Sequence, residues 1–148
     1  MKESQIRRNN LSFWSLVFIN GMALLFLISH ESSAQSKPWM APATADNVKN
    51  PLASNPQNLA EAKTLYAGNC GPCHGDKGKG DGPASAGLNP KPADHTSDAV
   101  QKETDGAIFW KLSEGRAPMP AYKSIFSEQQ RWELVNYIRT LAKGSKKK

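Results

Sequence analysis

Residues 70–74 read Cys-Gly-Pro-Cys-His, and their types and spacing suit them to chemistry more than any other run in the chain. Two thiols one helical turn apart can add to the two vinyl groups of a single porphyrin. The histidine that follows is then held beneath the iron as its proximal ligand. This C-x-x-C-H run is the attachment signature of c-type haem. Cys70 and Cys73 are the only two cysteines in the chain.

The same letters without the histidine are also the redox run of thiol–disulfide exchangers. Such a dithiol needs its first cysteine at a helix N-terminus after a buried strand, where the helix dipole lowers the thiol pKa. Here the preceding segment, residues 60–69, has no β-branched residue except Thr64. It sets Leu59, Ala62, Leu65 and Tyr66 at helical spacing. A helix leading into the motif favours one covalently attached haem c over dithiol exchange.

With His74 on one axial position, the second ligand decides the chemistry. Beyond the N-terminal leader the candidates are Met119, Met40 and one other histidine, His95. Met119 lies in Gly-Arg-Ala-Pro-Met-Pro-Ala, residues 115–121, between two prolines that stiffen the backbone and keep it out of a helix. It is the favoured sixth ligand, with His95 or an open site as alternatives. A thioether donor favours ferrous iron and raises the potential, and two protein ligands leave no site for oxygen chemistry. His74 also needs an acceptor for its other ring nitrogen. The backbone carbonyl of Pro83 is the expected partner, with Pro90 and Pro92 as alternatives.

The elements that must position these residues are helical. A helix starting near Asn58 leads into the motif. A glycine-rich loop follows over residues 75–83; it lacks the order of a phosphate cradle and lets backbone pass close to the haem edge. Residues 88–98 form a loop expected to wrap one face of the porphyrin. A short helix runs from Asp105 to about Glu114, capped by Thr104 and closed by Gly115. A longer helix opens on a capping box of Ser127 and Gln130 and carries Leu134, Val135, Ile138, Leu141 and Ala142 as an apolar stripe, with Gly144 ending it. The first and last stripes are expected to cross beside the haem. No alternating run is long enough for a sheet. The fold class is therefore all-α, three to four short helices around one haem, with an extended N-terminal arm.

Residues 1–34 read as a signal peptide, with Lys2, Arg7 and Arg8 ahead of an apolar run and small residues at 32–34. The run is long enough to serve instead as an uncleaved membrane anchor. Either way the remainder lies outside the cytoplasm, in the periplasm or on the outer face of the membrane. Residues 35–57 form a proline-rich extended arm in which Trp39 lies on the domain surface, 58–143 the domain, and 144–148 a lysine-rich tail. Of the net charge of +6, the leader holds +1 (three basic, two acidic residues), and Lys143 with Lys146 to Lys148 hold four more. The folded body is near neutral, without a basic stripe interleaved with aromatics, which excludes nucleic-acid binding.

From about Asn58 to Lys143 the chain resembles a class I c-type cytochrome. The likeness rests on the first helix, C-x-x-C-H, Gly-Pro nine residues past the histidine, Met119-Pro120, and an amphipathic helix containing Arg-Trp-Glu-Leu-Val-Asn-Tyr-Ile-Arg, residues 131–139. The resemblance implies haem c at Cys70 and Cys73, axial His74 and Met119, and electron transfer without substrate turnover. The function expected is a one-electron carrier of a bacterial respiratory chain, between a donor complex and a terminal acceptor. Lys77 and Lys79 are candidates to steer an acidic partner. The alternatives are a bound haem subunit of an oxidoreductase complex, a thiol–disulfide oxidoreductase, and an open-site gas sensor or peroxidase.

Overall fold

The computed structural model describes residues 38–145. The leader, residues 35–37 of the arm and residues 146–148 of the lysine tail lie outside them. Among the described residues the regular structure is helical, with one isolated bridge between Arg116 and Met119. Six helices follow in chain order: α1 (Ala43–Asp46), α2 (Pro56–Asn69), α3 (Gly71–His74), α4 (Asp98–Gln101), α5 (Asp105–Glu114) and α6 (Glu128–Ser145). Single 3-10 turns occur at Ser85–Gly87 and Tyr122–Ser124.

Local chemistry sets the helix starts. Asn55 caps α2 by accepting the Asn58 N–H at 2.9 Å, with Pro56 in the first turn where its missing donor costs nothing. The Thr104 hydroxyl accepts the Ala107 N–H at 3.0 Å at the head of α5. The capping box before α6 is reciprocal: Ser127 Oγ accepts from the Gln130 N–H at 3.2 Å, and Gln130 Oε1 accepts from the Ser127 N–H at 2.9 Å.

The core lies where α2 and α5 pack against α6. Tyr66 from α2, Ile108 and Leu112 from α5, and Trp132, Leu134, Val135 and Ile138 from α6 are all buried there. Phe109 stacks on Trp132 with ring centroids 3.9 Å apart, and Tyr122 on Phe126 at 5.1 Å. The Tyr122 hydroxyl donates to the Asn69 carbonyl at 3.0 Å, satisfying an acceptor that the end of α2 leaves open. Arg139 of α6 gathers the turn between α4 and α5. It pairs with Asp105 at 2.7 Å and donates to the carbonyls of Gln101 at 3.0 Å and Glu103 at 2.5 Å.

Residues 38–55 are irregular for most of their length, as expected, but they lie against the body and are not free of it. Ala45 is buried, Asp46 accepts from the Thr104 hydroxyl at 2.8 Å, and Asn50 donates to Asn136 of α6 at 2.9 Å. Trp39 packs on Trp110, centroids 6.4 Å apart, with Arg116 over its ring at 5.1 Å. A composition of prolines and small residues hid this, because the fit depends on Gly106. A Cβ there would stand 2.0 Å from the Ala45 carbonyl oxygen.

Candidate functional site

Cys70 closes α2 and opens α3. Its N–H bonds the Tyr66 carbonyl at 2.8 Å, while its own carbonyl accepts from Cys73 at 3.1 Å and from His74 at 2.8 Å. The two sulfurs and the imidazole therefore leave a single turn, as the motif requires. The two cysteines are not joined in a disulfide; Cys70 is buried and Cys73 half-buried. Burial, and secondarily the neighbouring Cys73, push the Cys70 thiol up to about 12. A thiol so reluctant to ionise is a poor dithiol nucleophile, since the thiolate is the reactive form.

The glycine loop holds that turn from outside. Gly80 N–H bonds the His74 carbonyl at 2.8 Å, Gly82 N–H the Cys73 carbonyl at 3.2 Å, and Ala84 N–H the Pro72 carbonyl at 2.9 Å. These are the acceptors that a four-residue helix cannot satisfy itself. The approach is too close for any side chain at 82. A Cβ there would lie 2.4 Å from the Pro72 oxygen and 2.5 Å from that of Gly71.

His74 Nδ1–H donates to the carbonyl of Ala93 at 2.9 Å. This corrects the expectation that Pro83 would accept it. The backbone around Pro83 is committed to capping α3, and the chain returns to His74 ten residues later, next to the alternative Pro92. Gly80 makes the return close, since a Cβ on it would meet the Pro92 oxygen at 2.6 Å. Burial lowers the His74 pKa against the opposing Ala93 bond, so the imidazole is neutral near pH 7. With Nδ1 carrying the proton, Nε2 keeps its lone pair.

Met119 sits in a tight turn where Arg116 and Met119 exchange N–H···O bonds of 3.0 and 2.9 Å. It is half-buried and packs against the cluster that contains Cys70. Gly115 permits the turn with φ +62°, and a Cβ on it would run into the Pro120 backbone at 2.5 Å. His95 lies against His74. Its ring stacks on that of His74 with centroids 4.0 Å apart and planes 19° from parallel, and its Nδ1 lies 2.9 Å from the Tyr66 hydroxyl. Neither the Ala93 acceptor nor this ring pair was foreseen from the sequence. The prolines at 90 and 92 flagged the right segment, but a backbone carbonyl leaves no mark of its own in the residue letters.

A family model, "Cytochrome c", matches residues 59–142, which include the tether turn, the Met119 turn and nearly all of α6. The chain belongs to the cytochrome c family. It is similar to cytochrome c6 of Cladophora glomerata, 32% identical over 95 residues that cover 60% of this chain and 93% of the relative. Among solved structures it resembles a chain of the Kuenenia stuttgartiensis reducing HAO-like protein complex Kustc0457/Kustc0458. That match has a TM-score of 0.57 and 26% identity over 64% of this chain, and the chain spans about half (49%) of its counterpart's length.

As a cytochrome c this is an electron-transfer protein with covalently bound haem c. The residues present fit that group: two cysteines on one turn, not joined in a disulfide, and an imidazole whose Nδ1 is committed to the Ala93 carbonyl, which leaves Nε2 to serve as the ligand atom. No group of three or more His, Cys, Asp or Glu side chains among the described residues is arranged to hold a bare metal ion.

Proposed function

We propose that this chain is an exported monohaem cytochrome c that carries single electrons from a donor complex to a terminal acceptor in a bacterial respiratory chain. In this reading Cys70 and Cys73 would hold the haem through two thioethers, and His74 and Met119 would be the protein ligands to its iron. When bound, the haem supplies an iron that changes by one electron. The chain's own residues fix its surroundings. The Ala93 carbonyl holds the His74 ring in one tautomer, which raises its basicity as a ligand. The Met119 turn, closed by its paired backbone bonds, holds a thioether with little freedom to swing. Two protein ligands exclude substrate from the metal, as a carrier requires.

The observation that carries the reading is the conjunction at α3: two cysteines not joined in a disulfide and an imidazole with its Nδ1–H pinned by a backbone carbonyl, all on one turn. Export is supported by the leader-like residues 1–34. A second reading, a haem subunit of a larger oxidoreductase, is favoured by the match to a chain of twice the span in an assembled complex.

Absorption spectra of oxidised and reduced protein, purified from cells able to attach haem, test the site. Pigment retained through acid–acetone extraction and a weak far-red ferric band are expected. Met119→Ala is expected to abolish that band while keeping the pigment. Pigment lost on extraction, or a band that survives Met119→Ala, overturns the assignment. Fractionation separates the two roles: a carrier is recovered in the soluble periplasm, a subunit sediments with membranes or a partner.

A further inference from the structure

We propose that His95 is a positioning residue that sets the rotation of the His74 imidazole, and that Tyr66 holds it in that role. The inference rests on His74 being the proximal ligand. The bond from His74 Nδ1 to the Ala93 carbonyl fixes the tautomer and one point of the ring. A single hydrogen bond still lets the ring plane swing about that point. The parallel His95 ring, with centroids 4.0 Å apart, lies in the path of that swing.

His95 is itself held at three points. Its N–H bonds the Gly78 carbonyl at 2.7 Å, its carbonyl accepts from Gln101 Nε2 at 2.6 Å, and its Nδ1 meets the Tyr66 hydroxyl at 2.9 Å. That last bond ties the ring of His95 to the phenol of Tyr66. Tyr66 is rigid in turn: it is 1% exposed and packs on Tyr137 with centroids 5.1 Å apart. It stands four residues before Cys70 on α2, so the helix that delivers the first sulfur also anchors the ring stack. Gly78 completes the fit, for a Cβ there would meet Leu141 Cδ1 at 2.7 Å and His95 Cβ at 3.1 Å.

A purely space-filling role needs only a flat apolar ring at 95. A positioning role needs the stack and the phenol bond that aims it. Ferric holoprotein distinguishes them through the haem methyl shifts in NMR and the g anisotropy in EPR, both of which follow the plane of the axial imidazole. His95→Ala is expected to reorder the methyl shifts and broaden the largest g value. His95→Phe, which keeps a ring, is expected to restore the wild-type order in part. Tyr66→Phe, one hydroxyl smaller, is expected to shift the pattern in the same direction as His95→Ala but less. Unchanged methyl shifts in His95→Ala overturn the proposal. Should that variant not accumulate as holoprotein, unchanged shifts in Tyr66→Phe overturn it alone. Failure of the underlying assignment shows separately, as wild-type protein without covalent pigment or without the methionine band.

Discussion

At the scale of single residues, the tether turn depends on backbone groups more than on side chains. Its open carbonyls are met by the N–H groups of Gly80, Gly82 and Ala84, and its imidazole by the oxygen of Ala93. One side chain nearby reports on the fold through pH. Burial, and then the Cys70 and Cys73 thiolates, push the Tyr122 phenol up to about 12 from 10.0. Only the burial contribution persists once those sulfurs are thioethers. The unfolded phenol loses its proton first, so the unfolded chain binds fewer protons between those values. The stabilisation is complete below pH 10.0 and is lost as pH rises toward about 12. It amounts to at most about 2–3 kcal/mol, since each tenfold change in a proton-binding equilibrium is worth about 1.4 kcal/mol. Urea denaturation of holoprotein at intervals from neutral to strongly alkaline pH should show this decline. Tyr122→Phe should flatten it, and a decline of equal slope in that variant refutes the assignment.

Among the elements, those with local instructions were legible and those built by return of the chain were not. Thr104, Ser127 and Gln130 announced two helix starts because a cap acts within three residues of itself. Cys70, Cys73 and His74 were legible for the same reason, since one turn contains them. The placement of 92–95 beneath the tether turn depends on Gly78 and Gly80 at φ +73° and +74°, geometry that no periodicity encodes. The pairing of His74 with His95 spans a loop without helical or strand pattern, so it was invisible until the loop closed. The seating of α1 on α5 depends on Gly106, whose missing side chain lets the arm approach, and it was not singled out from the sequence. Gly106→Ala is expected to lift residues 45–48 from α5, because its Cβ would lie 2.0 Å from one carbonyl oxygen and 2.6 Å from another. A loss of about 1–3 kcal/mol in urea denaturation is expected from overpacking of this kind. Faster tryptic cleavage after Lys49 should accompany it, with the visible spectrum unchanged. Altered haem bands in that variant would show that the arm reaches the cofactor.

For the molecule as a whole, charge and docking matter more than any one contact. Lys77 and Lys79 are both exposed on the glycine loop, and Lys79 is steadied by Thr96 at 2.6 Å. If they steer an acidic partner, electron transfer to it should slow as ionic strength rises, because screening shortens the reach of surface charge to about 8–10 Å near physiological salt. Lys77→Glu should lower the rate severalfold in dilute buffer and converge with wild type in concentrated salt. A salt-independent rate removes the steering role.

The position of α6 in the chain bears on biogenesis. Arg139 fastens the α4–α5 turn, Asn136 receives the arm, and Ile138 and Leu134 fill the core. Every one of these partners is synthesised earlier than the helix that secures it. The tertiary structure therefore closes only once α6 is in place, after the segment that bears both sulfurs has been made.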